Sequence, residues 1–376
     1  MKGTLIMKIC IDIQTALNQP TGVGHYTMEL AKHIAAILET DELILFYFDF
    51  IKKKPIINNN NVTLKTIRCF PERVIRRFWR YLKWPPFNLL AGPANIYHFP
   101  NFILPPLKHG KSVVTIHDLS FLRFPEFAPT RYARYLSSIV KETVTRADAI
   151  ITDSMFSKDE IEQLLHVDAD RLYPIYPGIS SRFQALDKET IKPILSKLNL
   201  DRPYILTIST IEPRKNIPFL ISIFERLLGF DGNLVIAGKL GWKYEPILER
   251  IHTSSRTDDI LYLNYVEDKD LPALYSGAEL FVFTSHYEGF GLPPLEAMAC
   301  GVPVVASSGG SLGEVLGEGA YVIQNFDLNT WTEAIQNILF SSDLRNKQIT
   351  KGYNRAGNYT WYNSASQVLQ LYKMLV

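Results

Sequence analysis

The chain has 376 residues, a hydrophobic fraction of 47%, a charged fraction of 21% and a formal net charge of +2. That length exceeds one ordinary core and predicts two domains, and the near-neutral balance excludes a protein that grips nucleic acid through bulk positive charge. The cysteines, Cys10, Cys69 and Cys300, lie far apart without a CxxC pair, which excludes a disulfide framework and a cysteine zinc site and fits a reducing compartment.

The first apolar run, 5–13 (LIMKICIDI), is broken by Lys8 and Asp12 and reads as a buried strand, not a signal peptide. Further strand-like runs fall at 42–48, 62–67, 95–99, 112–118, 149–154 and 172–176, with helical patterns between them. The segment 177–203 is polar and bounded by prolines, and reads as an interdomain linker. A second series follows at 204–209, 234–238, 260–264, 280–285, 302–307 and 320–323. Continuous apolar strands between helices predict parallel sheets buried on both faces. The expected architecture is α/β, with two doubly wound domains facing each other: an N-terminal one over 1–178 and a C-terminal one over 179–358. A last helix within 359–376 is expected to pack back on the first domain. The asparagine run 58–61 reads as a turn. No uncharged run reaches the roughly 20 residues of a membrane-spanning helix, so a cytoplasmic protein is expected.

In such sheets, ligands sit beyond the carboxyl ends of the strands. Gly22 and Gly24 (TGVGHY) fall there, at the start of a helix whose free amides favour an anion. The third glycine and the ribose-binding acid of a dinucleotide fingerprint are missing, so taken alone the stretch is equally an unliganded loop. Arg214 and Lys215 follow the 204–209 strand just before a helix, where they are either solvated or set to neutralise a diphosphate. Glu288 and Glu296 flank a glycine- and proline-rich turn within 284–310, an otherwise uncharged stretch. A carboxylate near a helix N-terminus has its pKa lowered. The pair is therefore expected to accept hydrogen bonds from sugar hydroxyls, not to act as a general acid.

This stretch resembles the Glu-x7-Glu motif of the retaining GT-B glycosyltransferases of family 4 (glycosyl transferases group 1). The resemblance runs along nearly the whole chain, through TGVGHY, YHFPN, TIHDLSFLRFPEF, ADAIITDSMFS, ISTIEPRKN, LVIAGKLGW and YVEDKDLPALYSGAELFVFTSHYEGFGLPPLEAMACGVPVVAS. It implies two Rossmann-like domains with a deep cleft between them, the nucleotide-sugar donor on the second and the acceptor on the first. By the resemblance Glu296 grips the ribose, and Glu288 lies by the donor hexose with the amides of Phe290, Gly291 and Leu292. Arg214 and Lys215 take the diphosphate, which Gly22 and Gly24 close from the first domain, and the nucleobase lies near Val266 and Glu267. Ser209-Thr210 stand where the family commonly has an arginine, which puts more weight on Lys215. His117 matches a histidine that faces the donor sugar, with Asp118 expected to fix its ring or the loop, and His98 and Asn101 are expected to line the acceptor site.

The resemblance further implies transfer with retention and without metal or other cofactor, the leaving diphosphate helping to deprotonate the acceptor. Asp168-Ala169-Asp170, the one DxD match, sits in a connection. The segments look most like bacterial mannosyltransferases of O-antigen or other polysaccharide assembly, implying GDP-mannose and a glycan or lipid-linked acceptor. A UDP- or dTDP-sugar is the alternative within the class, and a GT-B-fold UDP-GlcNAc epimerase lies outside it. A nicotinamide dehydrogenase is contradicted by the incomplete glycine fingerprint. Finally, 73–90 interleaves Arg76, Arg77, Arg80 and other cations with aromatics. It reads either as an interfacial helix that would hold the enzyme peripherally on the inner face of the cytoplasmic membrane, or beside a lipid-diphosphate acceptor, or as a helix packed into the core.

Overall fold

The computed structural model describes residues 6–18, 22–49, 59, 61–68 and 71–376. Cys69 and half of the 58–61 asparagine run, which reads as a turn, lie outside them. The described residues form two compact units, one of Met1–Leu119, Arg134–Gly178 and Thr360–Val376, the other of Ser120–Ala133 and Ile179–Tyr359.

The first unit is built on a seven-stranded sheet: β1 (Lys8–Asp12), β2 (Glu42–Phe48), β3 (Val62–Ile67), β4 (Ile96–Phe99), β5 (Lys111–Ile116), β6 (Ala149–Thr152) and β7 (Leu172–Pro174). The strand order is β3-β2-β1-β4-β5-β6-β7 and every pairing is parallel. β1 carries Ile9 and Ile11 at 0% exposure, as a strand sandwiched between helix layers requires. One of those layers is the helix Gly22–Ile37, which packs Tyr26, Leu30 and Ile34 against the sheet. The last helix, Trp361–Leu375, shares this core through Ala365, Val368 and Tyr372. Each large apolar side chain so buried contributes about 1.5–3 kcal/mol. The Tyr372 hydroxyl also bonds His98 Nδ1 of β4 at 2.6 Å, tying the chain's last turns to the sheet.

The second unit has a six-stranded parallel sheet: β8 (Tyr204–Ile208), β9 (Asn233–Ala237), β10 (Ile260–Asn264), β11 (Leu280–Phe283), β12 (Val304–Ser307) and β13 (Tyr321–Ile323), in the order β10-β9-β8-β11-β12-β13. Its helices bury Leu220, Phe224 and Trp331 among others against the sheet. Two sequence expectations need correction. The boundary at 178 takes no account of Ser120–Ala133, which groups with the second unit: Phe124 packs on Tyr287 at 5.8 Å, and Phe127 stacks on His286 at 5.4 Å. And 177–203 is no bare linker, since it holds the helix Lys188–Lys197, capped by Asp187 and pinned to the second unit where Lys197 meets Asp270 at 2.9 Å. Polar composition marked it as loop, but a helix that buries little needs little apolar sequence.

Candidate active site

In doubly wound sheets the strand order reverses at one point, and the loops there part to leave room for a ligand. In the second unit that point lies between β8 and β11. After β8, a single turn over Pro213–Lys215 leads through Asn216, at φ 52°, into the helix Ile217–Arg226. The loop after β11 stitches itself to this turn: Thr284 donates to the Lys215 and Asn216 carbonyls at 3.0 and 3.1 Å, and the His286 amide donates to the Arg214 carbonyl at 2.8 Å.

That stitching brings three charges together. Lys215 Nζ lies 2.5 Å from Glu288 Oε1, and Arg214 Nη1 lies 3.0 Å from Glu288 Oε2. Burial alone would raise the Glu288 carboxyl, but Lys215 and then Arg214 override it and hold the pKa at about 2. Burial and the neighbouring Arg214 push the Lys215 ammonium down. The sequence placed this acid in the loop after the strand, and there the cations hold it ionised.

Gly291 caps the helix Leu292–Ala299 with φ 104°, a backbone conformation that favours glycine. Glu296 sits in the early turns of that helix, where the sequence placed it, but the expected lowering fails for it: burial lifts its carboxyl to about 7. Its Oε2 accepts the Tyr275 hydroxyl at 2.9 Å. Arg182 lies near enough to draw the pKa down and Asp268 near enough to raise it. The two acids thus answer to different neighbours, one ionised by cations and one kept near half-protonated by burial. Phe290 is buried, with its ring edge-on to Tyr359 at 5.4 Å. Val266 is buried too, whereas Glu267 is exposed and paired with Lys269.

In the first unit the reversal falls between β1 and β4. An open cavity lies at those strand ends. Asp12, Asn101, Glu72 and Arg76 supply its polar walls, and Trp79 and Phe99 its apolar ones. Burial lifts Asp12 to about 6, against Gln14's amide bond and Arg76. Asn101 lies on the wall of this cavity. His98 does not. It is at 0% exposure, with Nδ1 bonded to Tyr372 and Nε2 to Thr115 at 2.8 Å, so neither nitrogen is left for an acceptor. Burial and nearby His117 lower its pKa to about 3, which makes it a neutral core residue.

His117 follows β5, with Nδ1 2.7 Å from Asp153 Oδ2 and Nε2 3.2 Å from the Pro100 carbonyl. Burial would lower its pKa, but the Asp153 carboxylate more than offsets that and the imidazole is raised. The ring's partner is thus Asp153, not the adjacent Asp118. The signal was present: ITDS ends β6, the strand beside β5, and adjacent parallel strands bring their terminal residues together. Asp12, Tyr275 and Arg182 were likewise missed; Asp12 at the end of the first strand could have been found by the same rule. Gly22 and Gly24 open the first turn of the helix Gly22–Ile37, and a Cβ on Gly22 would meet nothing within 4 Å. No group of three or more His, Cys, Asp or Glu among the described residues is disposed to hold a metal.

Asp153→Asn tests the orienting role. The raised His117 pKa contributes stability that is complete below about pH 6.5 and fades as pH rises through the folded value. In the variant burial is opposed only by the Pro100 carbonyl and Asp118, and protonation becomes less favourable. Melts of the variant are expected to match wild type near pH 8 and fall behind it below pH 6.5, and kcat is expected to drop by about 10²-fold through ring misplacement.

Two parallel doubly wound sheets, each with polar groups gathered at its point of reversal, define a GT-B glycosyltransferase fold. The chain matches the family "Glycosyltransferase Family 4" over residues 20–183 and "Glycosyl transferases group 1" over residues 187–355. It is 34% identical to the O-antigen chain mannosyltransferase B of Escherichia coli over 98% of this chain and 100% of that one. It is 25% identical to the O-antigen chain mannosyltransferase RfbU of Salmonella typhimurium, covering 90% and 91%. Among solved structures, a sucrose-phosphate synthase from Thermosynechococcus elongatus superposes with a TM-score of 0.79 at 21% identity, covering 98% and 99% of the two chains. The chain belongs to the family 4 (group 1) glycosyltransferases.

Proposed function

We propose that this glycosyltransferase moves mannose from GDP-mannose, with retention, onto a glycan or lipid-linked acceptor in cell-surface polysaccharide assembly. The observation that carries the reading is the convergence of Lys215, Arg214 and Glu288 at the reversal of the second sheet. Two cations held by one buried acid form a site whose partner can be exchanged: an incoming diphosphate offers them more negative charge than one carboxylate. The amides of Phe290, Gly291 and Leu292 add donors at a helix start. Glu296 accepts the ribose hydroxyls, and Val266 and Glu267 flank the base. Asp153 orients the His117 ring in the first unit. The anomeric C–O bond to the diphosphate breaks as the acceptor oxygen bonds to the same face, and the acceptor's proton passes to the leaving phosphate oxygen. Negative charge develops on the diphosphate, where Lys215 and Arg214 stand, so no metal is required in this reading. The choice of mannose is supported by the names of the two O-antigen relatives above. The acceptor approaches the first unit's cavity with Asn101 and Arg76. Contact with anionic membrane runs through Arg77, Arg80 and the helix that carries them, and no described helix is long and apolar enough to cross a membrane.

A thermal-shift screen against GDP-, UDP- and dTDP-sugars tests the donor. At about 100 times its dissociation constant, the true donor adds about 2.7 kcal/mol, and GDP-mannose is expected to give the largest shift. A larger shift with a UDP- or dTDP-sugar would reassign the base, and a shift with NAD alone would end the reading.

A further inference from the structure

The basic aromatic helix, Glu72–Leu82, packs only Ile75 and Trp79 inward. Its outer face presents Phe78 at 41% exposure, Tyr81 at 72% and Leu82 at 63%, and the chain just beyond it presents Trp84 at 60%. Between this helix and the helix Thr130–Arg146 lies a second open cavity. It adjoins the cavity at the sheet reversal, since Arg76, Trp79, Ile103 and Pro105 line both.

Its chemistry is divided. The walls combine Leu104, Pro106 and Ile139 with four cations: Arg76, Arg80, Lys83 and Arg146. Glu142 is the one carboxylate among the lining residues, and it is shared between Lys83 and Arg146, the latter at 3.1 Å. Arg146 also donates to the Leu104 and Pro105 carbonyls at 3.0 and 2.8 Å, which fixes the rim. Arg76 pairs with Glu72. Arg80 lies over the rings of Tyr135 and Tyr81 at 5.1 and 5.5 Å, and among the described residues no carboxylate pairs with it. A groove with surplus positive charge, apolar walls and an exposed aromatic stripe at its mouth complements one kind of molecule: an amphiphile with phosphate at the head of an apolar chain.

We infer that this groove holds the phosphate of a lipid-linked acceptor, with Arg80 and Lys83 on the phosphate oxygens, the lipid chain leaving along Tyr81, Leu82 and Trp84, and the glycan reaching the adjoining cavity. The inference rests on the reading that the acceptor is carried on a lipid. It adds where and by what the carrier is held.

The experiment titrates the full chain with farnesyl diphosphate, farnesol and inorganic diphosphate by calorimetry. Arg80→Glu/Lys83→Glu and the milder Arg80→Gln/Lys83→Gln are compared with wild type, and circular dichroism checks their fold. Wild type is expected to bind farnesyl diphosphate at least about tenfold tighter than either variant and than farnesol, the loss of one or two charged hydrogen bonds. Inorganic diphosphate, which can also displace Glu288 from Lys215 and Arg214, is expected to bind all three proteins alike. Equal affinity of wild type and variants for farnesyl diphosphate overturns the inference. So does a variant that keeps that affinity yet loses binding to phosphatidylglycerol vesicles relative to phosphatidylcholine ones, because the charges then serve bilayer headgroups. Failure of every sugar nucleotide to bind, with farnesyl diphosphate still held by Arg80 and Lys83, would sink the proposed function and leave the groove standing.

Discussion

Lys215→Ala is expected to lower kcat/KM for sugar transfer by about 10²–10³-fold, the loss seen when one donor to a developing anion is removed, in a protein that still folds. The ammonium lies 2.5 Å from Glu288 with both side chains about one-tenth exposed, so its charge acts in a site with little water to screen it. Breaking a buried pair costs about 3–5 kcal/mol when the partner is left alone. Glu288 is not left alone, because Arg214 still reaches it at 3.0 Å. The melting temperature is therefore expected to fall by less than that range implies. The acid limb gives the sign. Glu288, held at about 2, supplies stability that is present above pH 4.5 and lost as pH falls towards 2. Without Lys215 its pKa rises, and that contribution shrinks. Lys215→Ala/Glu288→Gln is expected to recover the melting temperature and not the activity. Glu288→Gln alone is expected to tighten inorganic diphosphate binding, as both cations lose their internal counter-ion. Steady-state kinetics, melts and competition with diphosphate read these outcomes. Unchanged kcat/KM in Lys215→Ala would remove the diphosphate role.

Much of the fold was open to the eye because parallel strands buried on both faces must be apolar from end to end. Each of the thirteen apolar runs holds a strand. The positions of Glu288, Lys215 and His117 followed from the rule that loops beyond strand ends carry the site. Their partners did not follow, because the linear sequence records neither which strands lie side by side nor how deep a side chain sits. Asp153 lies 36 residues from His117, yet the β5–β6 pairing makes them neighbours. His98 looked like a ligand because its type is polar and its place is a strand end. Only the docking of the last helix, which brings Tyr372 onto it, makes it core. Glu296 was read from its distance to a helix start, whereas depth decided its pKa. The helix dipole acts within one turn, and desolvation reaches as far as the surroundings are dry.

Glu296 carries the second large effect. A carboxylate that accepts two ribose hydroxyls gains about 1.5–3 kcal/mol from each, so Glu296→Ala is expected to raise the donor dissociation constant by about 10²-fold or more, with the fold retained. The raised pKa makes this binding depend on pH. At about 7 the free carboxyl is half protonated, and the protonated form has one acceptor oxygen fewer for the ribose. Donor affinity is expected to be flat above pH 8 and to fall about tenfold per unit below pH 6, one proton taken up for each donor lost. Stability runs the other way. The folded protein binds this proton more tightly than the unfolded chain, whose value is 4.5, so Glu296 weakens the fold as pH climbs from 4.5 through 7, by about 3 kcal/mol in all. Glu296→Gln removes that penalty and keeps the shape. It is expected to melt higher than wild type at pH 8, to bind the donor weakly, and to do so equally at pH 6 and pH 8. A glutamine variant that binds the donor like wild type would show that the hydroxyls never needed the charge. A wild-type affinity independent of pH between 5 and 8 would show that the carboxyl is already ionised, with water or Arg182 reaching it more closely than its burial implies.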